Sequence, residues 1–303
     1  MSCIRVSGGL GNQLFQLSLA VAISKATDKS VGLDTTSFRI SKDHTIRNLE
    51  IDHLKDESFY FCDSTPFLTK FAKLFLATRS YNRYLRITNT VNPRHTILGL
   101  PIQKEQNINF DTSIDIKRES YFDGSFVTPE YWGTHGDEVL RVVRHLFNQN
   151  AGPGRLFNNT ELAIHIRRGD YLSNEKARAF HGICSMDYYL EATEEMLRQF
   201  PQITKIQIFS DEYRFAEELK HLLLPLNLEI NLNSKTSAVS VLAEMSNSKY
   251  FIGCNSTFSW WASALNENRI SILPSQWFLD PSRAIMSNRF FLPGVRVLNT
   301  TLL

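Results

Sequence analysis

Short apolar runs alternate along this chain with longer stretches whose apolar positions recur every three or four residues, a pattern that predicts an α/β fold with parallel sheets. Cys3-Ile4-Arg5-Val6-Ser7 predicts a first strand, ended by a turn at Gly8, Gly9 and Gly11. Over Asn12–Ala26, Leu14, Leu17, Ala20, Val21 and Ile23 fall near helical spacing, and Val31–Asp34 predicts the second strand. The rest of this half is less regular until a helical run over Gly136–Phe147. A turn-rich stretch, Asn148–Asn159, follows as the interdomain linker candidate. Beyond it the pattern predicts three strand–helix units: Leu162–Ile166 with Met186–Phe200, Lys205–Ser210 with Glu212–Leu223, and Lys249–Cys254 with Thr257–Asn266. Arg269–Leu273 predicts a last strand. The expected organisation is therefore an N-terminal domain over 1–150, a C-terminal domain over 151–285, and a tail over 286–303 that packs back on the N-terminal domain.

Composition narrows the class. The 303 residues suffice for two ordinary cores, and 43% hydrophobic with 21% charged residues describes a soluble globular chain. A formal net charge of +2 gives no nucleic-acid footprint. Cys3, Cys62, Cys184 and Cys254 form no CxxC pair or zinc spacing, and each lies in or beside an apolar run. Buried free thiols and a reducing, cytoplasmic location are the expectation. No apolar run approaches the roughly 20 residues of a bilayer span. Over Pro66–Ile87, an apolar stripe of Phe67, Phe71, Leu74 and Phe75 interleaves with Lys70, Lys73, Arg79, Arg83 and Arg86. It reads either as an ordinary surface helix or as a peripheral membrane contact.

The candidate chemistry collects at four predicted strand ends. In open α/β sheets, ligands sit at the carboxyl ends of strands. There the chain places Gly11, Asn12 and Gln13; His165, Arg167, Arg168 and Asp170; Ser210 and Asp211; and Asn255, Ser256 and Thr257. Arginine presents a planar fork of donors matched to phosphate oxygens. Asn255-Ser256-Thr257, ahead of Phe258, reads as a helix N-terminus, whose free N–H groups suit a phosphate. Gly9-x-Gly11 with Asp34 imitates a dinucleotide fingerprint, but Leu14 stands where the third glycine belongs. His165 reads either as a satisfied core histidine or as a base or ribose contact. Asp211 reads either as a helix cap or as a carboxylate accepting from guanine. Trp260 and Trp261 read as core. The chain has no Asp-x-Asp, HExxH or Cys/His cluster, so no metal or other cofactor is expected. Arginine and helix dipoles would have to neutralise a diphosphate instead.

Taken together, Gly8-Gly9-Leu10-Gly11-Asn12-Gln13-Leu14-Phe15-Gln16, His165-Ile166-Arg167-Arg168-Gly169-Asp170-Tyr171, Phe209-Ser210-Asp211 and Asn255-Ser256-Thr257-Phe258-Ser259-Trp260-Trp261 resemble the bacterial α-1,2-fucosyltransferases of the O-antigen type, glycosyltransferase family 11. The resemblance implies two facing Rossmann-like domains, the GT-B arrangement, with the first on the acceptor side and the second binding GDP-β-L-fucose. It implies inverting, metal-independent transfer of fucose to the 2-hydroxyl of a β-galactoside acceptor glycan. A lipid-linked acceptor would bring the enzyme to the inner face of the cytoplasmic membrane. Arg167 is then expected on the β-phosphate, with Asp170 orienting it, and Asn12 near the fucose or phosphate. His165 and Asp211 are expected on the guanosine. Ser256, Thr257 and Phe258 are expected on the diphosphate, with Gly11, Gln13, Arg168 and Asn255 completing the donor site. Asp34 and Asp123 are acceptor-side candidates. Asp123 departs from the family, which often has glutamine in Ser120–Phe126, and the general base stays unassigned. The competing readings are another GDP-sugar transferase such as an α-1,6-fucosyltransferase, an NAD-dependent enzyme, and a non-catalytic sugar-nucleotide or glycan binder.

Overall fold

The computed structural model describes residues 1–40, 48–62, 96–97, 100–106, 110–150, 161–169, 175–234, 237–268, 270–279, 289–300 and 302–303. The chain divides into two compact units, Met1–Leu146 and Phe147–Leu303. Each is built on a six-stranded sheet, so the α/β expectation holds with two Rossmann-like sheets.

In the first unit, β1 (Cys3–Arg5), β2 (Val31–Asp34), β3 (Phe59–Cys62), β4 (Thr96–Ile97), β5 (Leu100–Lys104) and β6 (Tyr121–Asp123) lie in the order β3-β2-β1-β6-β5-β4. All pairings are parallel except that of β4 with β5. The strand order reverses beside β1, between its neighbours β2 and β6. Helix α1 (Leu10–Thr27) follows β1 directly and is buried nearly all round. That explains why its sequence shows only a weak polar face. Its outer side packs on the 3-10 segment Pro129–His135, where the Phe15 and Trp132 rings lie 6.2 Å apart. Short helix α2 (Thr36–Ile40) follows β2, and helix α3 (Gly136–Asn150) ends with residues expected in the linker. Asn148–Asn150 therefore form a last helical turn, and residues 151–159 lie outside the described ones.

In the second unit, β7 (Glu161–Ile166), β8 (Lys205–Ser210), β9 (Glu229–Leu232), β10 (Tyr250–Ile252), β11 (Ile270–Pro274) and β12 (Val295–Leu298) are all parallel, in the order β9-β8-β7-β10-β11-β12. Counting from β7, this is the doubly wound order 3-2-1-4-5-6, with its switch point between β7 and β10. Both faces are covered by α4 (Glu175–His181), α5 (Met186–Gln199), α6 (Tyr213–Leu223), α7 (Ala238–Ser246) and α8 (Thr257–Leu265), which is why β7 is buried at every position. Leu162, Ile164 and Ile166 enter the core with Tyr188, Tyr189 and Phe215, whereas His165 faces α8.

Three readings of the sequence change. Arg269–Leu273 does not predict the last strand, because Val295–Leu298 adds β12 beside β11. Within the segment expected to pack back on the N-terminal domain, Val295–Leu298 extends the second sheet, where a parallel edge offers it a ladder of backbone partners. Its sequence hides this, since Val295 and Val297 alternate with polar residues as on any edge strand. Strands β3, β5, β6 and β9 were too short or too interrupted to stand out. The thiols are free, with Cys3, Cys184 and Cys254 buried and Cys62 only half-buried. No described helix is long and apolar enough to cross a membrane, and the Pro66–Ile87 stripe lies outside the described residues.

The crossing of β10 into the α8 turn leaves no room at Gly253. A Cβ there would meet Leu273 Cδ2 at 2.5 Å, Phe251 Cε1 at 2.9 Å and Ser259 Cβ at 3.0 Å. Gly253→Ala is expected to destabilise the protein by about 1–3 kcal/mol, the usual cost of overpacking. Urea denaturation checks this, and an unchanged midpoint would refute the packing argument.

Candidate functional site

Chain reversal beside β7 brings two carboxyl-end turns together in the second unit, the one after β7 and the one after β10. The first carries the arginines. The Arg167 guanidinium pairs with Asp211, Nη1 to Oδ2 at 2.9 Å, with both side chains partly exposed. Asp211 Oδ1 accepts from the backbone N–H groups of Arg168 at 2.8 Å and Gly169 at 3.0 Å. One carboxylate thus fixes the turn and aims Arg167. A Cβ at residue 169 would lie 3.1 Å from the Asp211 carboxyl carbon and carbonyl oxygen, a tight fit that glycine relieves.

Asp211 does not cap the following helix. Glu212 does, accepting from the N–H groups of Arg214 at 3.0 Å and Phe215 at 2.8 Å. Nor are the oxygens of Asp211 idle for a base, since both are engaged within the motif. Arg168 turns away from its neighbour. Its guanidinium carbon lies 3.9 Å from the Phe215 ring centroid, and Nη1 donates to the Cys184 carbonyl at 3.3 Å. Its Nε is buried and finds no partner among the described residues. Asp170, expected to orient Arg167, lies outside the described residues; Asp211 performs that orientation here.

The second turn leads into α8. Ser256 caps the helix, its hydroxyl accepting from the Phe258 N–H at 3.2 Å. Thr257 is the first helical residue, so the positive end of the helix dipole opens beside β7. Asn255 is 2% exposed, and its amide nitrogen donates to the carbonyls of His181 at 2.9 Å, Gly182 at 3.3 Å and Trp277 at 3.4 Å. Its role is to hold backbone, because a buried amide must satisfy its donors locally. Trp260 and Trp261 are core, as expected.

His165 joins the two turns. It is 6% exposed, shares a 2.6 Å hydrogen bond through Nδ1 with the Ser259 hydroxyl, and lies 5.4 Å, ring to ring, from Phe258. Its pKa is lowered to about 4, chiefly by burial, with Asp211 opposing the shift and Arg167 adding to it. This is the core-histidine reading: a neutral imidazole bolting β7 to the first turn of α8.

The first unit has its own switch point. Gly8 adopts φ +80°, where a Cβ would sit 2.8 Å from the Asn12 amide nitrogen. Asn12 is half-buried at the start of α1, behind the buried Gly11. Gln13 is fully buried, donating to the carbonyls of Gly8 at 2.9 Å and Asn48 at 2.8 Å and accepting from Glu50 N–H at 2.9 Å. Its side chain therefore braces the glycine turn. Gln16 spans from Ser7 N–H at 3.0 Å to the Gly124 carbonyl at 2.9 Å, linking the turns after β1 and β6. Asp34 caps α2 through Thr36 N–H at 2.9 Å and accepts from Tyr121 OH at 2.7 Å. Asp123 pairs with Arg5 at 3.1 Å across β1 and β6. Sequence reasoning missed Glu105, whose carboxylate accepts from Ser125 N–H, Phe126 N–H and Tyr131 OH and holds Phe126 at φ 51°. Burial raises the pKa of Glu105. Phe215 was likewise unmarked, and Ser259, though within the motif Asn255–Trp261, was given no role, because an apolar helical position and a helical serine carry no signal of what they face. No group of three or more His, Cys, Asp or Glu among the described residues is arranged to hold a metal.

A family sequence description, glycosyl transferase family 11, matches residues 1–294. The chain belongs to glycosyl transferase family 11. Among its relatives is an Escherichia coli alpha-1,2-colitosyltransferase, 28% identical over 90% of this chain and 91% of that protein. Another is the E. coli O-antigen biosynthesis glycosyltransferase WbnK, 30% identical over 93% of this chain and 96% of the relative. The fold is similar to that of POFUT1, crystallised with GDP-fucose, at a TM-score of 0.50 and 13% identity, covering 89% of this chain and 97% of POFUT1.

The depressed His165 pKa makes a prediction about pH. Below the ordinary value of 6.5 the unfolded chain takes up a proton that the folded imidazole refuses until about pH 4. Stability contributed by the neutral ring is therefore complete above pH 6.5 and lost as pH falls, by about 2 kcal/mol between pH 7 and pH 5. Denaturant titrations of wild type and His165→Asn across that range should show a flatter pH profile for the variant. Parallel profiles would show that His165 is not held neutral.

Proposed function

We propose that this family 11 enzyme transfers L-fucose from GDP-β-L-fucose to the 2-hydroxyl of a terminal β-galactose, with inversion, during O-antigen or other surface-glycan synthesis. The observation that carries this reading is the Arg167 guanidinium, fixed by Asp211 at the carboxyl end of β7, beside the open N-terminus of α8. A side-chain cation and a helix dipole meet at one switch point, the arrangement suited to a diphosphate. The α-1,2 linkage and the O-antigen setting are supported by what the E. coli relatives are called.

The chemistry follows from charge. Breaking the bond between fucose C1 and the β-phosphate oxygen leaves negative charge on GDP and oxocarbenium character on the sugar. A guanidinium already aimed at the phosphate acts where that charge develops, without reorganising. Asp211 keeps it aimed, and the dipole at the N-terminus of α8 adds partial positive charge. In this reading the transfer needs no metal, the acceptor glycan is lipid-linked, and the enzyme works in the cytoplasm at the inner face of the membrane. The pocket logic admits a second donor: the similarity to an alpha-1,2-colitosyltransferase favours GDP-colitose as the alternative.

GDP release from GDP-fucose and from GDP-colitose, in EDTA, with and without β1,3- and β1,4-galactosides, tests the reading. Release stimulated by a galactoside with GDP-fucose supports it, and linkage analysis of the product must give α-1,2 rather than α-1,6. Release only from GDP-colitose selects the second donor; GDP binding without release for any donor or acceptor selects a binding protein. Arg167→Ala should lower kcat at least 100-fold, about 3 kcal/mol of transition-state stabilisation, in a protein that still unfolds cooperatively. Near-normal turnover by a folded variant would remove Arg167 from the mechanism.

A further inference from the structure

Both arms of the donor site are tied to one short segment that none of the family motifs contains. Arg168, on the turn after β7, donates through Nη1 to the Cys184 carbonyl at 3.3 Å. Asn255, on the turn before α8, donates to the carbonyls of His181 and Gly182, and its Oδ1 accepts from the Cys184 thiol at 3.4 Å. Residues 181–184 are therefore the common anchor of the arginine turn and the phosphate-facing helix.

That anchor is itself clipped from outside. Ile183 and Leu303 exchange backbone hydrogen bonds, N–H to carbonyl at 3.1 Å and 3.0 Å, and Cys184 bridges antiparallel to Leu302. The Leu302 N–H donates to Gln276 Oε1 at 3.2 Å, and its side chain is 4% exposed in the core that includes Cys184 and Tyr188. Gly182 sits at φ +65° directly under this clip. A Cβ there would meet Leu302 Cβ at 2.7 Å and Leu279 Cγ at 2.8 Å.

We propose that Leu302–Leu303, paired to Ile183–Cys184, act as a positioning clip for the donor: they hold the turn of Arg168 and the N-terminus of α8 at the separation that fits the nucleotide diphosphate. The proposal rests on the donor-site reading above. The physical reason is register. Each arm touches the diphosphate through groups at a turn, and turns keep sub-ångström placement only when their backbone is bonded to something rigid. Here the rigid element is the antiparallel bridge itself, two backbone hydrogen bonds backed by the buried Leu302 side chain.

The clip is tested without touching any residue that faces the donor. Gly182→Ala forces the bridge open by steric contact and by its left-handed backbone. Leu302→Ala removes the buried side chain but keeps the backbone pair, and Leu302→Met preserves most of the packing. Calorimetric titration with GDP and full donor kinetics are recorded for each. The expected result is a GDP dissociation constant raised tenfold or more in Gly182→Ala and about threefold in Leu302→Ala. The donor KM should rise in step, the acceptor KM should hold constant, and Leu302→Met should stay close to wild type. If Gly182→Ala does not fold, Leu302→Ala carries the test. A lowered melting temperature with unchanged GDP affinity would show that the clip is merely structural and overturn the proposal. A wild-type protein that binds no GDP would overturn the donor reading itself, which is a separate outcome.

Discussion

The Asp211 carboxylate is the interaction on which the site depends. It binds two backbone N–H groups with one oxygen and the Arg167 guanidinium with the other. Charge-assisted hydrogen bonds of this kind contribute roughly 1.5–3 kcal/mol each. Their geometric effect matters more than their sum, because one carboxylate fixes the backbone of Arg168 and Gly169 and the guanidinium of Arg167 together. Asp211 comes from the end of β8, the strand paired with β7, so the parallel register delivers the carboxylate to the turn that needs it. The guanidinium is pre-aimed at the switch point, and a partly buried pair is less screened by salt than a surface one.

Around that interaction the protein uses polar side chains for framing more than for display. Gln13, Gln16, Asn255 and Asp34 look like ligand-binding residues in sequence, yet each satisfies backbone groups of a neighbouring turn. The cause is burial. Strand-end turns in a doubly wound sheet are packed against helices, and their N–H and carbonyl groups leave the ladder without partners. Amide side chains, with donors and acceptors on one short stem, supply those partners. Asn255 fixes the backbone that leads into Ser256 and Thr257. His165 follows the same logic, a neutral ring joining β7 to α8 through Ser259.

The two units solve the same problem differently. In the second, strand order follows the doubly wound pattern, and the reversal falls between the arginine turn and α8. In the first, the chain runs out after β3 and returns through β4 and β5 before β6 pairs with β1. Glu105, after β5, then braces the strained turn at Phe126, and Gln16 links that turn to the glycine turn after β1. Backbone strain of this kind persists where surrounding contacts over-determine it.

Much of the fold was legible in the pattern of residues. Val31–Asp34 and Lys205–Ser210 match their strands residue for residue, and helices α1, α5, α6 and α8 lie within two residues of their predicted starts and ends, whereas α4 and α7 were not predicted. Long periodic segments declare themselves because burial of one face imposes spacing. The four motif clusters were legible for a related reason: glycine, arginine, asparagine and serine rarely coincide at apolar strand ends without a purpose. What the sequence could not specify is which polar group meets which. Asp211 lies more than forty residues from the turn it fixes, Leu302 lies far from Cys184, and the partner of His165 is an unremarkable helical serine. Edge strand β12 and the brace at Glu105 depend on pairings across the sheet, which no local window encodes. The chain by itself determined the elements and the chemistry available at their ends; packing of the sheet and helices decided which of those groups meet one another and hold the turns still.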